Sequence, residues 1–206
     1  MDPLQKAITN ISPLSPESMD VYHQSWKHWS VKKDHFLLKE NTVSDYIYFI
    51  EKGVARIHYY KNGKEITEWI ALDNQFFLSI TSFFQRIPSH LIIQTLEPSE
   101  VYGIHHDDFM KLADKYHDIE RLLRKMVTSS LILSQIRMDS IQFESAQQRY
   151  ERLLQTSPQI VRVNISSRFK FRIFPSKDTM QGLSYPYDHT ILTLLSLLTI
   201  LLSLCQ

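Results

Sequence analysis

Four consecutive residues, His105-His106-Asp107-Asp108, bring together two imidazoles and two carboxylates, the donor types of a transition-metal site. Neighbouring residues of a strand point to opposite faces, so adjacent histidines converge poorly on one ion. At a junction of strand and helix the aspartates are better explained as helix caps, and no metal is expected. A single cysteine, Cys205, excludes a disulfide framework and a thiolate cluster. Four glycines in 206 residues leave little for a phosphate-cradling loop, and no nucleophile elbow or HExxH helix is present. The chain therefore reads as a non-enzyme without catalytic residues or a cofactor.

Two other groupings could recognise a partner. Phe76, Phe77, Phe83 and Phe84 are close in sequence to Ser79, Ser82, Ser89 and His90. Together they could form an apolar pocket with polar anchors for a small effector. The competing reading, which is favoured, is that the phenylalanines plug the interior and leave no cavity. Further on, Arg152, Arg162, Arg168, Lys170, Arg172 and Lys177 fall in a stretch without aspartate or glutamate, a one-signed segment suited to a phosphate backbone.

The elements that must hold these groups are legible in the periodicity. Ser15 to Ser18, with Pro16 in the first turn, opens a lead helix through Met19, Val21, Tyr22, Trp26 and Trp29. Short β-rich runs follow at Phe36 to Leu38, Tyr46 to Glu51, Val54 to Tyr60, Glu65 to Ala71, Leu91 to Leu96 and Glu100 to His105. Many short strands joined by close turns predict a barrel or roll. Lys52-Gly53 and Asn62-Gly63 mark its turns, the second being the stronger hairpin signal. Caps at 106–108 then start a helix through Phe109, Met110 and Leu112, and a longer helix runs from Asp118 to about Ile141. On it Ile119, Leu122, Met126, Ser129, Leu133 and Ile136 recur at steps of three and four, the seam of a coiled coil, so a second copy is the expected partner.

The composition is that of a folded chain: 43% hydrophobic, 22% charged, formal net charge +1. The start has no unbroken apolar core of a secretory signal, and a reducing cytoplasm is the expected location.

The order of parts resembles the Crp/Fnr family of bacterial transcription regulators, most of all its Bacteroidetes-type members. The residues that carry the resemblance are Tyr46-Ile47-Tyr48-Phe49-Ile50-Glu51-Lys52-Gly53, Asn62-Gly63-Lys64-Glu65, Asn74-Gln75-Phe76-Phe77 and Ser145-Ala146-Gln147-Gln148-Arg149-Tyr150. The resemblance implies an α+β fold: an antiparallel β-roll, cupin-like and of the cyclic-nucleotide-binding type, with flanking helices and a long C-terminal dimerisation helix. The expected boundaries are a lead helix over 1–30, the roll over 31–116, the dimerisation helix over 117–141, a degenerate helix-turn-helix over 142–181 and an apolar tail over 182–206.

Family members that bind a cyclic nucleotide use a Gly-Glu pair and, further on, an arginine followed by Ser or Thr, because the phosphate needs a guanidinium and the ribose a carboxylate. Here Leu78 and Ser79 stand at the first pair and Ser89 and His90 at the second. Arg86 lies three residues early and reads as a solvated surface residue. Loss of cyclic-nucleotide binding is the expectation.

In the DNA-binding region Ser176-Lys177-Asp178-Thr179-Met180 looks like the opening of a recognition helix. Arg149, Lys177 and Thr179 are the expected DNA contacts. Ser167 to Pro175 alternates as a strand would, which is what frame shifts near Val161 and after Gln181, with the frame regained at Ser176, would leave. The uncharged stretch Thr190 to Cys205 is shorter than the ~20 residues that span a bilayer, so no membrane association is expected. The function expected is a dimeric transcription regulator with an altered effector domain. The alternative is a dimeric ligand-binding or interaction module without DNA binding.

Overall fold

In the computed structural model the residues described are 2–156. Lys177, Thr179, most of the degenerate helix-turn-helix region and the apolar tail lie outside the described residues.

Two short helices open the chain. In α1 (Pro3–Ile11) Asp2 caps the N-terminus by accepting from the Gln5 amide at 2.7 Å. In α2 (Pro16–Gln24) Ser15 is the cap and Pro16 takes the first position, where its missing N–H is not needed. The expected continuation of this helix through Trp26 and Trp29 is incorrect. Trp26–Val31 is a strand, β1, paired antiparallel with β8 (Ser99–His105), and Trp29 lies opposite Val101. Tyr22, Trp26 and Trp29 carry helical spacing, and strand pairing overrides it.

Between these two strands come β2 (Phe36–Leu38), β3 (Tyr46–Lys52), β4 (Ala55–Lys61), β5 (Lys64–Ala71), β6 (Gln75–Phe77), the short helix α3 (Ile80–Gln85) and β7 (Ile92–Thr95). The strands form two antiparallel sheets ordered β1-β8-β3-β6 and β2-β7-β4-β5. Tyr46–Ile50 is a nearly unbroken apolar run because β3 is covered on both faces. Ile47 and Phe49 meet the helices, while Tyr48 and Ile50 pack between the sheets. Both turns expected from glycine are present. Asn62 and Gly63 have φ of 52° and 72°, the pair of left-handed residues that a two-residue hairpin needs. Gly53 has φ of 117°, and a Cβ there would sit 2.2 Å from the Ser99 hydroxyl.

Two helices complete the outer layer, α4 (His106–Lys115) and α5 (His117–Phe143). The α4 cap is His105, whose Nδ1 accepts from the Asp107 amide at 3.2 Å. Asp107 and Asp108 fill the first turn instead of capping it. The helices cover the first sheet with a core built on Leu4, Ile8, Tyr22, Trp26, Phe49 and Phe109. Asp118 joins the two ends of this layer: its carboxylate accepts from the Ser15 amide at 2.8 Å and the Ser18 hydroxyl at 2.7 Å. Burial alone would raise this carboxyl, but those hydrogen bonds outweigh it and hold it below its ordinary value.

The seam of α5 divides in two. Ile119 and Leu122 are fully buried against their own α4 and roll, and Met126 is packed on the same core, so Ile119 and Leu122 are unavailable to a second copy. The apolar surface left open lies beyond them, at Ile132, Leu133, Ile136, Ile141 and Phe143.

Candidate functional site

The segment from β6 through α3 to β7 carries the positions at which the resemblance implies a ligand, and the serine hydroxyls on it are engaged within the chain. Ser79 precedes α3 and Ser89 precedes β7, and their buried hydroxyls lie 2.9 Å apart. The Ser89 hydroxyl also accepts from the Leu91 amide at 2.9 Å. Ser82 donates to the Ile87 carbonyl at 2.6 Å and accepts from the Ser44 amide at 2.9 Å.

A second set of bonds ties the segment to the loop before β3. The Asn41 amide donates to the Ser89 carbonyl at 2.7 Å, and the Ser89 amide to the Thr42 carbonyl at 2.9 Å. Arg86, in the left-handed region at φ 55°, donates to the Ser44 carbonyl at 3.0 Å and pairs with Asp45. Arg86 is exposed, as its reading as a surface residue expects, and it also ties α3 to the loop.

The phenylalanines do not line one pocket. Phe77 packs between the two sheets, stacked on Tyr48 with ring centroids 5.4 Å apart. Phe83 belongs to the helical core on the other side of the first sheet, and Phe76 packs against that core on Phe49 at 4.9 Å. Phe84 is exposed. Of the six residues expected to form a pocket, Phe77, Ser79, Ser82, Phe83 and Ser89 are buried and His90 is exposed, its ring 6.0 Å from that of Tyr59. Tertiary packing thus distributes Phe77 and Phe83 over two cores, which spacing along the chain cannot show.

A polar group that the sequence reading missed lies on the far face of the second sheet. Alternation along β4 turns Ala55 and Ile57 inward, which leaves Arg56 and His58 on the opposite face. The Arg56 guanidinium donates to Gln94 at 2.8 Å and pairs with Glu65. His58 beside it is 1% exposed, and its Nδ1 has no hydrogen-bond partner. Burial, reinforced by the Arg56 charge and partly offset by Glu65, lowers its pKa from 6.5 to about 4.

A pH dependence follows. Above pH 6.5 the imidazole is neutral in both states and costs nothing. Between 6.5 and about 4 the unfolded chain takes up a proton that the folded chain refuses, so stability falls as the pH falls, by on the order of 3 kcal/mol in full. Urea denaturation at pH 7.5 and 4.5 is expected to show this drop in the parent and a much smaller one in His58→Gln. An equal drop in both would assign the effect to other groups.

The remaining site residue within the described range, Arg149, lies on α6 (Ala146–Thr156). It is half-buried and donates to the Glu144 carbonyl at 2.6 Å. Among the described residues no cluster of His, Cys, Asp or Glu is arranged to hold a metal, and no helix is long and apolar enough to cross a membrane.

With this geometry in place, comparison with known proteins defines the fold. Residues 28–116 match the model of the cyclic nucleotide-binding domain. Three solved structures are similar over most of their length. The catabolite activator protein of Thermus thermophilus is 17% identical with a TM-score of 0.54, covering 70% of each chain. A cyclic nucleotide-binding domain from Methylobacillus flagellatus is 14% identical with a TM-score of 0.58, covering 68% of this chain and 80% of that one. The sensor domain of the transcriptional regulator DNR from Pseudomonas aeruginosa is 16% identical with a TM-score of 0.53, covering 69% of this chain and 93% of that one. No curated protein sequence matches the chain. Residues 28–116 thus match the cyclic nucleotide-binding domain in sequence pattern and in fold, and resemble the sensor domains of catabolite-activator-type transcription regulators.

Proposed function

We propose that the protein is a cytoplasmic, homodimeric Crp/Fnr-like transcription regulator whose effector domain has lost cyclic-nucleotide binding. The observation that carries the loss is the 2.9 Å approach of the Ser79 and Ser89 hydroxyls. A phosphate-binding cassette needs a carboxylate and a guanidinium facing the ligand. Here two short hydroxyls satisfy one another, and Arg86 is committed to Ser44 and Asp45. The exposed apolar half of α5 supports the dimer, since an amphipathic helix this long has a second face to cover.

DNA recognition would come from the segment after α6, with Lys177 and Thr179 as contacts. Two titrations test the reading. Cyclic AMP and cyclic GMP are expected to give no saturable signal up to ~1 mM, a concentration at which even weak binding registers. A micromolar Kd would overturn the loss. Binding of the full chain to mixed double-stranded DNA is expected to fall steeply with salt, while a chain ending at Gln142 does not bind. If neither binds, the protein is a dimeric module without DNA output.

A further inference from the structure

We propose that Arg149 and Arg152 are positioning residues that clamp α6 onto the end of α5 and so set the direction in which the chain leaves the sensor domain. The end of α5 is otherwise open: Ile141 and Phe143 are 60% and 80% exposed. Ser140, one turn back, is nevertheless only 4% exposed. Its polar atoms are met by the two arginines of α6. Its hydroxyl donates to the Glu144 carboxylate at 2.7 Å and accepts from Arg152 at 2.5 Å, and Arg152 pairs with Glu144 at 3.1 Å. Arg149 donates to the Glu144 carbonyl at 2.6 Å and lies 3.5 Å from the Ser140 carbonyl.

The connector leaves few other ways to orient α6. Glu144, extended at ψ 143°, ends α5, and the next residue already caps α6. Ser145 accepts from the Gln148 amide at 3.2 Å, and Gln148 returns the bond to the Ser145 amide at 2.8 Å, a reciprocal cap. With two residues between the helices, rotation about Glu144 and Ser145 is the freedom that remains, and the arginines remove it. Two cations at the C-terminal end of α5 also oppose the partial negative charge of its last carbonyls. Arg149, a DNA contact in the sequence reading, has its guanidinium turned to the backbone carbonyls of this joint.

The test uses the full chain with Cys205→Ser and spin labels at Ser134→Cys and Gln155→Cys, both at exposed positions, diluted with unlabelled chain so that only distances within one copy are read. Pulsed electron resonance is expected to give one narrow distance in the parent. Glu144→Gln and Arg152→Gln should each at least double its width, and the exchanged pair Glu144→Arg with Arg152→Glu should narrow it again. Ser140→Ala, which removes one hydroxyl and no charge, gives a second route to the same widening. A parent as broad as the variants, variants as narrow as the parent, or an exchanged pair as broad as the single variants would each overturn the clamp. The readout does not use DNA, so its failure and the failure of the regulator reading are distinguishable.

Discussion

Replacing Leu133 and Ile136 together by arginine is expected to turn the protein from a dimer into a monomer. The two side chains are 51% and 48% exposed in a single chain, so the change leaves the fold of that chain intact. In a paired α5 they would lie in the seam. Fully burying one such side chain is worth about 1.5–3 kcal/mol, and pairing covers only the exposed half of each of the four that two protomers contribute, so losing them weakens association by roughly 10²- to 10⁴-fold, before the added cost of facing cations across the seam. Sedimentation velocity on parent and variant, with circular dichroism to verify the fold, measures this directly. A parent that already sediments as a monomer, or a variant that stays dimeric, would remove α5 as the dimer interface. Ile119→Arg is not an equivalent test: that side chain is fully buried in its own protomer, and the substitution would unfold the helical layer.

The second large effect concerns that layer. Phe109→Ala is expected to cost 3–5 kcal/mol of stability. The ring is completely buried at the point where α4 meets α2, tilted against Tyr22 with centroids 5.4 Å apart, in the core that also holds Ile119 and Leu122. Truncation removes dispersion contacts on several sides, and rigid neighbours on the sheet limit collapse of the cavity. Lys111→Ala, at an exposed position of the same helix, is the control and is expected to change stability by less than about 0.5 kcal/mol. Urea denaturation of both variants gives the comparison. A loss near 1 kcal/mol for Phe109→Ala would mean that the helices repack around the vacancy.

These two expectations rest on a distinction that periodicity alone does not make. Ile119, Leu122, Leu133 and Ile136 belong to one unbroken three-and-four pattern. The pattern identifies a helix with an apolar face and says nothing of what covers that face. In the folded chain the first two serve the core of their own protomer and the last two are left to solvent. The same limit explains the phenylalanines. Composition marks Phe76, Phe77, Phe83 and Phe84 as interior material, yet Phe77 lies between the sheets and Phe83 beneath the helices.

What the sequence determined by itself is the local grammar of the roll. The strands around 36–38, 46–51, 54–60 and 65–71 follow from β-branched and aromatic runs, and the turns from residues that tolerate positive φ, since each is a choice made within a few residues. The identities of Leu78, Ser79, Ser89 and His90, the residues that the resemblance sets at the cassette positions, are equally legible, because a residue type at a position needs no tertiary contact. Tertiary structure decided the rest. Trp26–Val31 became a strand only by pairing with β8, against its helical spacing. Arg86 and Arg149 took structural partners forty-odd and a few residues away, as folding brought Ser44 and Glu144 within reach. His58 lost its solvent to Arg56, Glu65 and the neighbouring strands, which shifted its protonation by burial. In each case the deciding energy is an interaction between segments, and such an energy has no counterpart in the spacing of one segment.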